Sequence, residues 1–134
     1  MAPTLQLEIT PEEILQQLMR ILSSNEFRRA ETLGRMLHYI VEQTMAGDVA
    51  NLKEYFIGVE VFERRRDFDP KDFALVRVQA VRLRRKLDRY YEDAGSLDPI
   101  GVAVPKGGYL ARFARRTSQI VPSSVVVRTS LSEL

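Results

Sequence analysis

Cysteine is missing from all 134 positions, and histidine occurs once, as His38. Without thiols there are no disulfides, no thiolate metal ligands and no cysteine nucleophile. One histidine leaves too few parts for a transition-metal site or a Cys–His pair. A serine triad built on His38 has no nucleophile elbow to accompany it. A lone helical histidine is ordinarily structural or solvent-facing, and His38 is assigned no role. Gly107-Gly108 is not a phosphate-binding loop, because the Gly-Lys-Ser/Thr ending and following helix are missing. No apolar run approaches the ~20 residues that cross a bilayer. Met1 to Thr10 lacks the basic start and continuous apolar stretch of a signal peptide. These absences point away from an enzyme. They predict a soluble, cytoplasmic protein with no cofactor, no metal, no small-molecule substrate and no membrane partner.

What is present is one domain's worth of ordinary globular composition, 45% hydrophobic and 28% charged, plus some extra segment. The net charge of +2 is close to neutral, but its distribution is uneven. Residues 1–70 hold 8 Lys/Arg and 12 Asp/Glu, net −4, whereas residues 71–117 hold 11 and 5, net +6. The last 17 residues carry one of each sign. Such asymmetry marks a surface that faces a polyanion.

Thr10-Pro11-Glu12-Glu13 reads as a helix start, with threonine as cap, proline at the first helical position and Glu13 closing a capping box. Ile14, Leu15, Leu18, Met19 and Leu22 then predict a helical stripe. Ser23-Ser24-Asn25 interrupts it. A second helix is expected from about Arg28 to Ala46, with Leu33, Met36, Leu37, Ile40 and Val41 on one face and Gly47 closing it. Asn51 is the expected cap of a third, shorter helix over Leu52 to Phe62, with Leu52, Tyr55, Phe56, Val59 and Phe62 as its apolar positions. Glu63 to Asp72, with Asp69-Pro70, reads as a loop.

From Phe73 to about Asp93, Val76, Ala80, Leu83, Leu87 and Tyr90 recur at steps of four and three and predict a narrow buried stripe. Arg77, Gln79, Arg82, Arg84, Arg85, Lys86 and Arg89 occupy the remaining circumference. Ile100, Val102 and Val104 alternate as a short strand, Pro105-Lys106-Gly107-Gly108 turns, and Tyr109 to Phe113 returns. Beyond Arg116 the chain is Ser/Thr/Val-rich with no helical period.

An amphipathic helix of this kind fits the major groove of B-DNA, its apolar side anchored and its Arg and Gln free to meet bases and phosphates. Taken alone, a run such as Arg82-Leu83-Arg84-Arg85-Lys86 is equally compatible with a solvated basic face. The order of elements favours the first reading: two supporting helices, a long basic helix, then a hairpin, as in a winged helix-turn-helix. The run from Val76 to Leu87 (VRVQAVRLRRKL) and the later Pro105 to Phe113 (PKGGYLARF) resemble the signature of OmpR-type winged-helix domains, the DNA-binding domains of many bacterial response regulators. The resemblance covers residues 28–113. The phrases LKEYFIGVEVF and VRVQAVRLRRKL are also similar to amino-terminal domains of some larger bacterial regulators.

The fold expected is therefore mainly α with a small β-hairpin wing, a winged helix-turn-helix with an extra N-terminal helix. Its parts are an N-terminal extension at 1–24, the DNA-binding domain at 25–117 and a linker or irregular tail at 118–134. The resemblance implies a bacterial transcriptional regulator binding double-stranded DNA sequence-specifically, helix 73–93 in the major groove and wing 100–113 on the backbone. On that basis Arg82 is the first candidate for base contact, with Gln79 beside it. Arg77, Arg84, Arg85 and Lys106 are candidates for phosphate contact, Leu83 and Leu87 for core anchors, and Tyr109 for packing the wing on the helix. Arg64-Arg65-Arg66 stands where the family's loop approaches RNA polymerase or the backbone, and is equally readable as a solvated run. Departures are present too. Lys106 replaces the usual wing arginine, and lysine lacks the planar guanidinium fork. There is no receiver domain in this sequence, so control by phosphorylation does not carry over. The rival reading is a winged helix turned to protein interaction or oligomerisation, its basic face on an acidic partner and helix 10–23 covering its own core or pairing with a second copy in a homodimer.

Overall fold

The computed structural model describes residues 9–62 and 70–116. The first helix, α1, runs Pro11–Ser23 and begins with the capping box its sequence encodes: Glu13 N–H donates to Thr10 Oγ1 at 3.1 Å and Thr10 N–H to Glu13 Oε1 at 3.0 Å. Ile14, Leu18 and Ile21 are buried. Leu15 and Met19 are not, at 45% and 59% exposure. They lie around the helix from the i, i+4, i+7 line that meets the core, so the predicted stripe is narrower than the apolar content of α1. The buried face also takes in Gln17, whose Nε2 donates to Asp98 Oδ2 at 2.8 Å.

Instead of one helix from residue 28, the chain makes a single turn, α2 (Asn25–Arg28), and then α3 (Glu31–Ala46). The break seats Phe27, 2% exposed, in the core, with Ala30 N–H donating back to Phe27 C=O. Leu33, Met36, Leu37, Ile40 and Val41 are all buried along α3. Gly47 closes it with φ 73°, a left-handed conformation that glycine adopts without steric cost.

The third helix departs further from expectation. A 3₁₀ turn at Val49–Leu52 precedes α4 (Glu54–Glu60), and the N-cap is Lys53 rather than Asn51. Asn51 cannot cap because its side-chain amide is turned backwards, donating to Gln43 Oε1 and Asp48 Oδ2. A 3₁₀ turn advances 120° per residue instead of 100°, which breaks the helical count that ran through from Leu52. Leu52 is buried as expected, but the other buried positions are Ile57, Gly58 and Val61, with Tyr55, Phe56, Val59 and Phe62 half-buried. The predicted face was rotated. The Arg64-Arg65-Arg66 run and the rest of 63–69 lie outside the described residues.

Helix α5 (Pro70–Glu92) starts three residues earlier than predicted, with Pro70 as its first residue, a position where the missing N–H costs nothing. Val76, Ala80, Leu83, Leu87 and Tyr90 are buried without exception. The chain then turns into β1 (Ile100–Ala103), which pairs antiparallel with β2 (Arg112–Arg115), Ile100 opposite Arg115 and Ala103 opposite Arg112. The second strand therefore begins three residues later than expected. Residues 104–111 form an extended loop held against the helices, where Tyr109 and Ala111 bond to Glu54 and Thr44 and not to β1. The molecule is thus mainly helical with one small antiparallel hairpin.

The helices and the hairpin share one core: Ile14, Leu18 and Ile21 of α1 belong to the same buried cluster as Ile40, Leu83 and Val102. Polar groups stitch the hairpin base to that core. Tyr91 Oη donates to Ile100 C=O at 2.8 Å and accepts from Val102 N–H at 2.9 Å, while Tyr90 Oη donates to Asp98. Burial pushes the Tyr91 phenol up to about 12, so it remains protonated and able to serve both bonds. Arg115 forks onto Glu13 at 3.0 and 3.1 Å, and this partner is the main reason the Glu13 carboxyl is lowered to about 2. No helix among the described residues is long and apolar enough to cross a membrane.

Candidate nucleic-acid interface

The buried stripe of α5 fixes what the rest of the helix can do. At about 100° per residue, Val78, Val81, Arg82 and Arg85 fall within an arc of about 100° directly opposite it. All four are exposed. Arg82 and Arg85 have no hydrogen-bond or ion-pair partner among the described residues, and neither does Lys106 at the tip of the 104–111 loop. Val78 and Val81, 49% and 44% exposed, form an apolar strip along the same arc. The sequence reading passed over both valines. Their signal was available, since each stands on the side of the helix away from the Val76–Tyr90 stripe.

The other predicted cations are engaged. Arg77 Nη1 lies 3.0 Å from Glu54 Oε1. The second oxygen of Glu54 accepts from Tyr109 Oη at 2.7 Å, so this carboxylate ties α5 to the hairpin loop. Burial raises the Tyr109 phenol, and the bond to Glu54 raises it further. Arg84, which the sequence suggested as a phosphate contact, turns instead to the loop backbone. Its Nε donates to Val104 C=O at 2.7 Å and its Nη2 to Pro105 C=O at 3.3 Å and Gly108 C=O at 2.9 Å. Gln79 sits half-buried on the flank of α5, off the outward arc that carries Arg82. Lys86 Nζ on that flank and Arg89 Nε, on the outward arc one turn beyond Arg85, both approach Glu26 Oε1 of α2, at 3.6 and 3.3 Å. Glu54 was missed altogether. It is 23 residues from Arg77 and 55 from Tyr109, and no local pattern announces such a contact.

Between α5 and the loop lies an open cleft of about 340 Å³, lined by Arg77, Val81, Arg84, Lys106, Gly107 and Tyr109 among others. Its rim is cationic, its floor on α5 partly apolar, and its one carboxylate is already shared between Arg77 and Tyr109. Gly107, with φ 97°, reverses the loop at the tip and leaves Lys106 projecting beside it. Among the described residues, the surface offers two free guanidiniums and one free ammonium, with two exposed methyl-bearing side chains on the helix. Among the described residues no three or more His, Asp or Glu side chains converge as metal ligands would. Compared with known proteins, the chain matches no family model, no curated protein and no solved structure.

Proposed function

We propose that the chain is a winged helix-turn-helix that binds double-stranded DNA sequence-specifically as a transcriptional regulator, of the bacterial type its motifs resemble. The observation that carries this is the outward arc of α5, where Arg82 and Arg85, unpaired among the described residues, alternate with exposed Val78 and Val81, and Lys106, likewise unpaired, stands on the adjoining loop. A helix fits the major groove, arginine reads guanine O6 and N7 bidentately, and apolar side chains meet the thymine methyl. Arg82 takes the base contact, Arg85 and Lys106 the phosphates. Selection from a random duplex pool, followed by affinity measurement across salt concentrations, tests the reading. An enriched site and a log–log salt slope of about −2 or steeper are expected from two or more phosphate contacts. A flat slope, or no complex with any duplex at low salt, sinks it.

The protein-interaction reading draws on one observation of its own, the exposed Leu15 and Met19 on α1, which suit a second copy or an RNA polymerase subunit. It predicts the flat salt response just named.

Two further results are expected at this surface. Replacing thymine by deoxyuridine within the selected site removes only the methyl group that Val78 and Val81 would meet. Affinity should fall about two- to tenfold at the positions under α5 and stay unchanged elsewhere, since a buried methyl group is worth roughly 0.8 kcal/mol. A site indifferent to this change leaves the valines without a base partner. Glu54→Gln keeps an acceptor for Tyr109 but frees the charge of Arg77. Duplex affinity should rise about two- to fivefold for all sequences, with a salt slope steeper by about one. Unchanged fluorescence-anisotropy titrations would show that Arg77 stays clear of the DNA.

A further inference from the structure

We propose that Arg84 serves DNA binding only through the hairpin loop, as a positioning residue that sets where Lys106 stands relative to α5. It makes no phosphate contact of its own. This deepens the DNA-binding reading and rests on it.

The three carbonyls that Arg84 reaches bracket Lys106 in the chain, Val104 and Pro105 before it and Gly108 after it. Sheet pairing stops at Ala103 opposite Arg112, so the ladder does not hold the tip. On the far side of the loop Tyr109 is tied to Glu54, and Ala111 N–H donates to Thr44 Oγ1 at 3.0 Å. Among the described residues, side-chain hydrogen bonds to 104–108 come from Arg84 alone. Val104 is 3% exposed and its carbonyl bond is partly buried, so swinging the guanidinium out to a phosphate would strand an acceptor away from water. A planar guanidinium with donors along two edges can serve three carbonyls together, whereas an ammonium is a point charge without that fork. With the loop held, Lys106 meets a phosphate from a backbone that is already ordered, and less freedom is lost on binding.

The test is a double-mutant cycle on the selected duplex, with Arg84→Lys, Arg84→Ala, Lys106→Ala and the double variants, each titrated at several salt concentrations. Lysine at 84 keeps charge and stem but loses the fork, and thermal unfolding checks that each variant is folded. If Arg84 acts through Lys106, Arg84→Lys and Arg84→Ala both weaken binding as far as Lys106→Ala does, about tenfold, with a salt slope shallower by about one. Adding either to Lys106→Ala then changes nothing further. The proposal is overturned if Arg84→Lys binds like the unaltered protein. It is equally overturned if the double variants lose affinity additively and the slope falls by about two, which would make Arg84 a phosphate contact. Failure of the unaltered protein to bind any duplex overturns the DNA reading itself, a separate result from either of these.

Discussion

Arg82→Ala is expected to cost ~1–3 kcal/mol of binding to the preferred duplex and to blur the preference between that duplex and a scrambled one. The size follows from how α5 is divided. Of the cations between residues 77 and 89, Arg77 is paired with Glu54, Arg84 holds the loop, and Lys86 and Arg89 face Glu26. Arg82 and Arg85 remain, and they occupy different parts of the exposed arc. On the proposed reading, base discrimination is therefore concentrated in one guanidinium instead of being spread over six cations. Arg85→Ala should weaken the preferred and scrambled duplexes by similar factors, because a phosphate contact carries no sequence information. Competition titrations with the two duplexes separate the outcomes. An Arg82→Ala protein that keeps both affinity and preference would remove Arg82 from the base contact.

Leu83→Ala is expected to lower the free energy of unfolding by about 3–5 kcal/mol, the range for truncating a fully buried leucine where the surroundings collapse only partly. Leu83 is 0% exposed and belongs to the cluster that joins α5 to α1, α3 and the hairpin. Small domains have only about 5–15 kcal/mol in total, so a large share of the folded population would be lost on modest heating. Urea unfolding gives the value directly, and a loss under about 1 kcal/mol would show that Leu83 is not a central anchor. The same measurement separates the two roles that alternate along α5. Arg82→Ala should leave the urea midpoint in place while changing DNA binding. Leu83→Ala should move the midpoint and disturb binding only as α5 loses its seat.

The parts of this structure that could be read from sequence are those decided within one or two helical turns. The capping box at Thr10 and Glu13, the left-handed Gly47 and the Val76–Tyr90 stripe all depend on neighbours at most a few residues away. The errors arose where distant residues decide. Asn51 was a reasonable cap until Gln43 and Asp48 claimed its amide. Tyr109 looked like a strand residue, but its hydroxyl goes to Glu54, 55 positions away. The candidate surface shows the same division. Composition located the basic segment, and the apolar period located its outward face. Which arginines are free on that face depended on Glu54 and on the carbonyls of Val104, Pro105 and Gly108. Neither has a local signature, so the six predicted contacts became three unpaired cations, a paired Arg77, a loop-holding Arg84 and a half-buried Gln79.

Tyr91 bears on how several copies could share a duplex. A β-strand with bare N–H and C=O groups along its side is an open template for another chain. Here β2 covers one side of β1, and on the other a single phenol answers Val102 N–H and Ile100 C=O. Among the described residues the outer strand is β2, where exposed Arg112 would bring like charges close if two copies met strand to strand, Arg115 being tied to Glu13. If the chain binds DNA as proposed, that charge disfavours a fusion of neighbouring hairpins into a continuous sheet. A contact between copies through helices and loops is then favoured over one through strands.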